Sequence, residues 1–124
     1  MILGVGIDSI DVARVERQLA EQAGLMQQLF TPAEMAFCAS RRQPGRIYAA
    51  FFAAKEAFLK ALGTGWRGGI RFTDIAISLP AGRPASIELA GETRRRCDQL
   101  GVRRTCLSLS CLPTLASAIV ILEI

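Results

Sequence analysis

The sequence predicts an α+β fold, and three observations carry that prediction. Helix-type periodicity fills most of the first half of the chain, strand-type alternation fills much of the second, and one apolar strand precedes the helices. An alternating βαβ order, which would demand a parallel sheet, is absent. With 124 residues, 51% of them hydrophobic, residues 1–124 read as a single domain able to bury a core.

The elements follow in order. Ile2 to Ile7 reads as a strand with Val5 and Ile7 on one face and Gly4, Gly6 and Asp8 on the other. That second face is nearly bare backbone ending in a carboxylate. A helix is expected from Asp11, with Val12, Val15, Leu19 and Ala23 as its apolar stripe and Gly24 as its stop. Thr31-Pro32-Ala33-Glu34 predicts a second helix start, with Thr31 as N-cap and Glu34 completing a capping box. That helix should end near Ser40, ahead of a loop holding Pro44 and Gly45. A longer helix is expected from about Arg46 to Leu62, stopped by Gly63-Thr64-Gly65.

Beyond it, Ile75 and Ile77 mark a strand, Pro80 to Pro84 a turn, and Ile87 and Leu89 a return strand. Glu92 to Leu100 reads as a helix ending at Gly101. Thr105, Leu107, Leu109 and Cys111 alternate with Cys106, Ser108 and Ser110 in another strand. Ala116 to Glu123 is continuously apolar and reads as a fully buried strand.

Composition removes several function classes. The chain has no His, which excludes His-based triads, His-ligated zinc and imidazole bases. The net charge of +4 suits an acidic partner, either phosphates or an acidic protein surface. Aromatic residues are few and do not interleave with the arginines, so a nucleic-acid role is not expected. The four cysteines lack CxxC spacing and read as reduced packing residues of a cytosolic protein. The N-terminus shows no signal-type pattern and the apolar run from Leu115 to Leu122 is too short for a membrane span, so a cytoplasmic protein without membrane association is expected.

Two carboxylates stand out by context. Asp8 ends a strand beside two glycines that permit close approach of a ligand or another backbone. Glu56 sits in the apolar helical stretch Phe51 to Leu62, where an unpaired charge is expensive to bury. Meeting at a divalent ion would satisfy both, and hard oxygen ligands suit Mg²⁺. The ordinary structural alternative has Glu56 pairing with Lys60 at i, i+4 and Asp8 capping the next helix. Lys60 with Gly63-Thr64-Gly65 places a cation and backbone N–H groups at one helix end, where phosphate can be held; a plain glycine cap is the alternative. Arg14 and Arg17 on the first helix are either a solvated face or a docking surface for an acidic protein helix. Gly4-Val5-Gly6 lacks the third glycine and the βαβ unit of a dinucleotide site.

Taken together, these segments resemble the holo-acyl-carrier-protein synthase family, the short trimeric type of the 4′-phosphopantetheinyl transferase superfamily, over nearly the whole chain. Gly4-Val5-Gly6-Ile7-Asp8 with Asp11-Val12-Ala13-Arg14-Val15 is similar to its first signature. Phe52-Ala53-Ala54-Lys55-Glu56-Ala57 with Lys60-Ala61-Leu62-Gly63-Thr64-Gly65 is similar to its second, which is highly specific. Phe30-Thr31-Pro32-Ala33-Glu34 lies between them. Phe72-Thr73-Asp74-Ile75, Gly82-Arg83-Pro84, Leu107-Ser108-Leu109-Ser110 and Ala118-Ile119-Val120-Ile121 follow in the family's order.

The resemblance implies helices packed on a small antiparallel sheet and transfer of 4′-phosphopantetheine from coenzyme A to a serine of an acidic acyl carrier protein, as in fatty acid biosynthesis. Adenosine 3′,5′-bisphosphate would leave. It implies Mg²⁺ held by Asp8 and Glu56, with Lys60 and the Gly63, Thr64, Gly65 turn on the phosphates and Gly82 to Pro84 near the nucleotide. Arg14 would dock the carrier, and active sites would lie between subunits of a homotrimer. Without His, the base would be Glu56, a water on the metal or another carboxylate. The sequence departs from the family at Phe51, usually Arg, and at Cys111, usually His, both expected near coenzyme A or the carrier. A non-catalytic paralogue that binds coenzyme A or a carrier is the alternative, and a specialised carrier is a further option.

Overall fold

The glycine-bearing face of the first strand organises the molecule. In a computed structural model that describes residues 1–65 and 69–124, the elements run β1 (Ile2–Asp11), α1 (Val12–Glu21), α2 (Leu25–Leu29), α3 (Pro32–Ala39), α4 (Pro44–Leu62), a 3-10 turn (Phe72–Asp74), β2 (Ile75–Ser78), β3 (Ser86–Leu89), α5 (Gly91–Leu100), β4 (Arg104–Cys111) and β5 (Leu115–Glu123). Strands β1, β5 and β4 form an antiparallel sheet in that order, and β2 pairs with β3 in a small second sheet. The expected α+β class is borne out. No helix among the described residues is long and apolar enough to cross a membrane.

Helix α4 lies across β1 and β5. It comes so close to β1 that a Cβ on Gly4 would overlap the carbonyl oxygen of Ala61, and one on Gly6 that of Ala57. Glycine is therefore required by the approach of a helix, not of a ligand. The facing helix contributes a row of alanines, with Ala53, Ala57 and Ala61 at four-residue spacing and all buried. Behind this seam the core gathers Phe30, Phe51, Phe58, Ile75, Val120 and Leu122.

Several boundaries differ from expectation for identifiable reasons. Strand β1 continues to Asp11 because its pairing with β5 persists to Leu115. Asp11 then serves as N-cap of α1, its Oδ1 accepting from the Arg14 N–H at 3.2 Å, so Asp8 is not the cap. Helix α1 stops at Glu21, and beyond Gly24 comes the short α2, too brief for periodicity to reveal. Pro44 and Gly45 are not loop but the first turn of α4, where proline is well tolerated. The capping box of α3 is present in full.

Strand β5 was expected to be buried on both faces, yet only one is covered. Ala116, Ala118, Val120 and Leu122 point into the core, while Ile119 on the other face is 38% exposed. That outer face also carries Val5 and Ile7, 53% and 62% exposed, paired across from Ile121 and Ile119.

Candidate active site

Where β1 and α4 run together, the last glycine of the strand gives way to Asp8 and the alanine row of the helix gives way to Glu56 and Lys60. Asp8 follows the inner-face parity of Gly4 and Gly6. Glu56 is flanked by Lys55 and Ala57, both buried, and is itself half-buried. Burial pushes the Glu56 carboxyl above the usual glutamate range; the Asp8 charge adds to the rise and Lys60 opposes it. The Lys60 ammonium donates to the Ile7 carbonyl at 3.0 Å and to Asp8 Oδ1 at 3.1 Å. Its ion-pair partner is therefore Asp8 across the seam and not Glu56 along the helix. Glu56 is left as a perturbed carboxylate beside a second one.

Two clefts meet at Glu56. The larger, about 410 Å³, lies between α1, β1 and α4 and is lined by Asp8, Arg14, Gln18, Phe52 and Glu56 among others. The smaller, about 240 Å³, runs along the end of α4 past Lys60, Gly63 and Gly65. Gly63 caps the helix with φ 79°, its N–H donating to the Leu59 carbonyl. The adjacent Thr64 hydroxyl is buried with no hydrogen-bond partner among the described residues.

The structure thus brings Asp8, Arg14, Glu56, Lys60, Gly63 and Gly65 to the two clefts, whereas Thr64, between the two glycines, lines neither. Arg17 is exposed on α1 but lines neither cleft. Gly82, Arg83 and Pro84 form the exposed β2–β3 turn and likewise line neither. Phe52, Gln18 and Asp11 line the larger cleft, although the sequence assigns none of them a site role. Phe52 could have been found at one helical turn before Glu56, and Gln18 at one turn beyond Arg14.

Phe51 points away from the site. It is buried in the core with its ring stacked 5.8 Å from that of Phe37 and lines neither cleft. Cys111 ends β4. Although the residue is exposed, partial desolvation raises its thiol pKa, against the opposing charge of Arg46.

Among the described residues no three His, Cys, Asp or Glu side chains are placed to hold a metal ion. Two neighbouring carboxylates still suit Mg²⁺, which is commonly held by one or two carboxylates with phosphate oxygens and water in the remaining positions. The ammonium of Lys60 stands as a hydrogen-bond donor on the wall of the smaller cleft. Asp8 and Glu56 therefore fit the ion, provided the ligand brings oxygens of its own.

Comparison with known proteins agrees with this geometry. Residues 4–112 match the family model of the 4′-phosphopantetheinyl transferase superfamily. The holo-[acyl-carrier-protein] synthase of Trichlorobacter lovleyi is 44% identical over 124 residues, covering 99% of this chain and 98% of that protein. The crystal structure of the Neisseria meningitidis holo-[acyl-carrier-protein] synthase superposes with a TM-score of 0.90 at 30% identity, covering 100% of both chains. The Bacillus anthracis synthase, solved in complex with CoA (3′,5′-ADP), gives a TM-score of 0.80 at 30% identity over 99% of this chain and 97% of that one. Seam, clefts and full-length similarity agree: the chain belongs to the 4′-phosphopantetheinyl transferase superfamily and is an enzyme of the holo-[acyl-carrier-protein] synthase type.

Proposed function

We propose that the chain transfers 4′-phosphopantetheine from coenzyme A to a serine hydroxyl of an acidic apo acyl carrier protein, in a Mg²⁺-dependent reaction that releases adenosine 3′,5′-bisphosphate. The observation that carries this reading is the perturbed Glu56 beside Asp8 where the two clefts meet. Asp8 and Glu56 would hold Mg²⁺, and the ion would supply charge neutralisation at the pyrophosphate. Lys60 holds a phosphate oxygen from the side of the smaller cleft, assisted by the Gly63 and Gly65 backbone and the Thr64 hydroxyl. The carrier serine enters by the larger cleft. Its oxygen bonds to the pantetheine-side phosphorus as the bond to the departing bisphosphate breaks. Glu56, at the junction of the two clefts, takes the serine proton. Arg14 at the mouth of the cleft, with Arg17 beyond it, meets the acidic carrier, and Pro84 contacts the nucleotide.

The test mixes the protein with coenzyme A, Mg²⁺ and a panel of apo carriers, fatty-acid and specialised, and weighs the carriers intact. A gain of one phosphopantetheine on a carrier, abolished by chelation of the metal, is the expected result. No gain on any carrier would sink the reading. We place the reaction in the cytoplasm, in keeping with four cysteines that are all free, two of them buried as packing residues.

The same reading includes a homotrimer. The uncovered outer face of the β1–β5–β4 sheet presents Val5, Ile7 and Ile119 as adjacent exposed apolar side chains, a surface that self-association would cover. Ile7→Glu is expected to shift sedimentation from a three-chain to a one-chain species, with most of the transfer activity lost. An unchanged assembly would place the interface elsewhere.

A further inference from the structure

The most deeply buried charge in the described chain lies outside both clefts. Lys55 has no exposed side-chain surface, and its ammonium donates to the Leu29 carbonyl at 2.6 Å, Glu34 Oε1 at 2.7 Å and the Phe72 carbonyl at 3.0 Å. Those three bonds use all of its donors. The Phe30 ring lies against it, 5.2 Å from the nitrogen. Glu34 is as fully committed: Oε1 also accepts from the Thr31 N–H at 2.8 Å and Oε2 from the Ile77 N–H at 2.8 Å. The end of α2, the first turn of α3 and the 3-10 turn thereby converge on one nitrogen carried by α4, and β2 joins them through Glu34.

Stability alone is a poor reason for this choice of residues. A buried ion pair contributes little net stability against a well-packed apolar pair of similar volume, because desolvation of both charges opposes their attraction. What three acceptors supply is direction. They fix where the nitrogen sits, and so the rotation of α4 about its own axis.

Glu56 is the next residue, about 100° further round the helix. The residue after it, Ala57, has its carbonyl pressed against Gly6 of β1. Glu56 is thus bracketed by the two points at which the rotation of α4 is fixed, one polar and one steric. A helix rotation of about 25° moves a Cα by roughly 1 Å, and the carboxylate farther out by more. Misplacement on that scale costs about 10²-fold in rate.

We infer that Lys55 is a positioning residue for the transfer reaction: through its bonds to Glu34, Leu29 and Phe72 it sets the rotation of α4 that holds Glu56 against Asp8. It touches no substrate in this role. The inference rests on the transferase reading above.

The test compares wild type with Lys55→Met, which keeps length and loses charge, and with Glu34→Gln, which keeps volume. Cys97→Ala, in a buried position of α5 that lines neither catalytic cleft, is the control for lost packing. All are assayed below their melting transitions, reading kcat, KM for the carrier and the Mg²⁺ concentration for half-maximal rate. Lys55→Met is expected to lose about 10²-fold in kcat. Its Mg²⁺ requirement should rise several-fold, with KM for the carrier unchanged. Glu34→Gln should show the same split to a smaller extent, and Cys97→Ala should lower the melting temperature only.

A folded Lys55→Met with wild-type kcat and Mg²⁺ dependence would overturn the inference. If Lys55→Met does not fold, Glu34→Gln decides, and an unchanged kcat in that variant overturns it equally. A wild-type protein that modifies no carrier would instead overturn the transferase reading, so the two failures are distinguishable.

Discussion

Glu56→Gln is expected to abolish transfer while making the metal-free protein more stable. The loss follows from chemistry. The amide neither accepts the serine proton nor binds a hard cation as a carboxylate does, and removal of a general base alone costs about 10²–10⁴-fold. The gain follows from burial. The folded protein raises the Glu56 pKa, through desolvation first and the Asp8 charge second. Between the ordinary glutamate pKa and the raised one, the folded state therefore binds more protons than the unfolded chain. Stability falls as pH rises through that window and remains lower above it. Glutamine has the same shape and no charge to desolvate. Its advantage should be largest near pH 8 and should fade as the pH drops toward the ordinary glutamate pKa. Thermal melts of metal-free wild type and variant at the two ends of that range measure the stability effect, and intact-carrier mass measures the activity. Equal melting temperatures at pH 8, or retained transfer, would remove Glu56 from its proposed place. Asp8→Asn should also lose activity but gain less stability, because it strips Lys60 of its ion-pair partner.

What the sequence disclosed about this site divides by the range of the interactions involved. Local chemistry was readable. Thr31 and Glu34 announced the start of α3 because a capping box is closed by two residues three apart. Asp8 and Glu56 stood out because each is a charge in an apolar or bare-backbone setting, and the structure does bring both to one cleft. Pairings across the fold were not readable. The four-residue spacing of Glu56 and Lys60 suggested an ion pair along the helix. The β1 backbone and Asp8, more than fifty residues away in sequence, hold that ammonium instead. Glu34 likewise shows its local bond to Thr31 in sequence, whereas its bonds to Lys55 and Ile77 exist only once α3, α4 and β2 have packed. Lys55 shares the apolar stretch that singles out Glu56, but its partners on α2, α3 and the 3-10 turn come from other parts of the chain. Phe51 shows the limit: matching a motif assigns a position to a neighbourhood, but the direction of this side chain, into the core against Phe37, is set by packing.

Gly6→Ala is expected to damage stability and activity together, out of proportion to one methyl group. A Cβ at this position would overlap the Ala57 carbonyl oxygen and crowd the Ala61 nitrogen. Both obstacles are backbone of a regular helix, so no rotamer change relieves the clash, and trimming Ala57 to glycine leaves the carbonyl where it was. The helix must move off the strand. Overpacking of this kind costs about 3 kcal/mol, a large part of the 5–15 kcal/mol that separates a typical folded domain from its unfolded chain. Chemical denaturation should therefore show a clearly lower midpoint. Two residues along the strand is Asp8, and the residue before Ala57 is Glu56, so the displacement that accommodates the methyl also parts the two carboxylates. Residual transfer at denaturant-free, low-temperature conditions should then fall well below the folded fraction measured in the same sample. Activity that simply tracks the folded fraction would mean that the seam supports the fold without setting the Asp8–Glu56 spacing. An unchanged midpoint would mean that α4 does not lie against β1 as described.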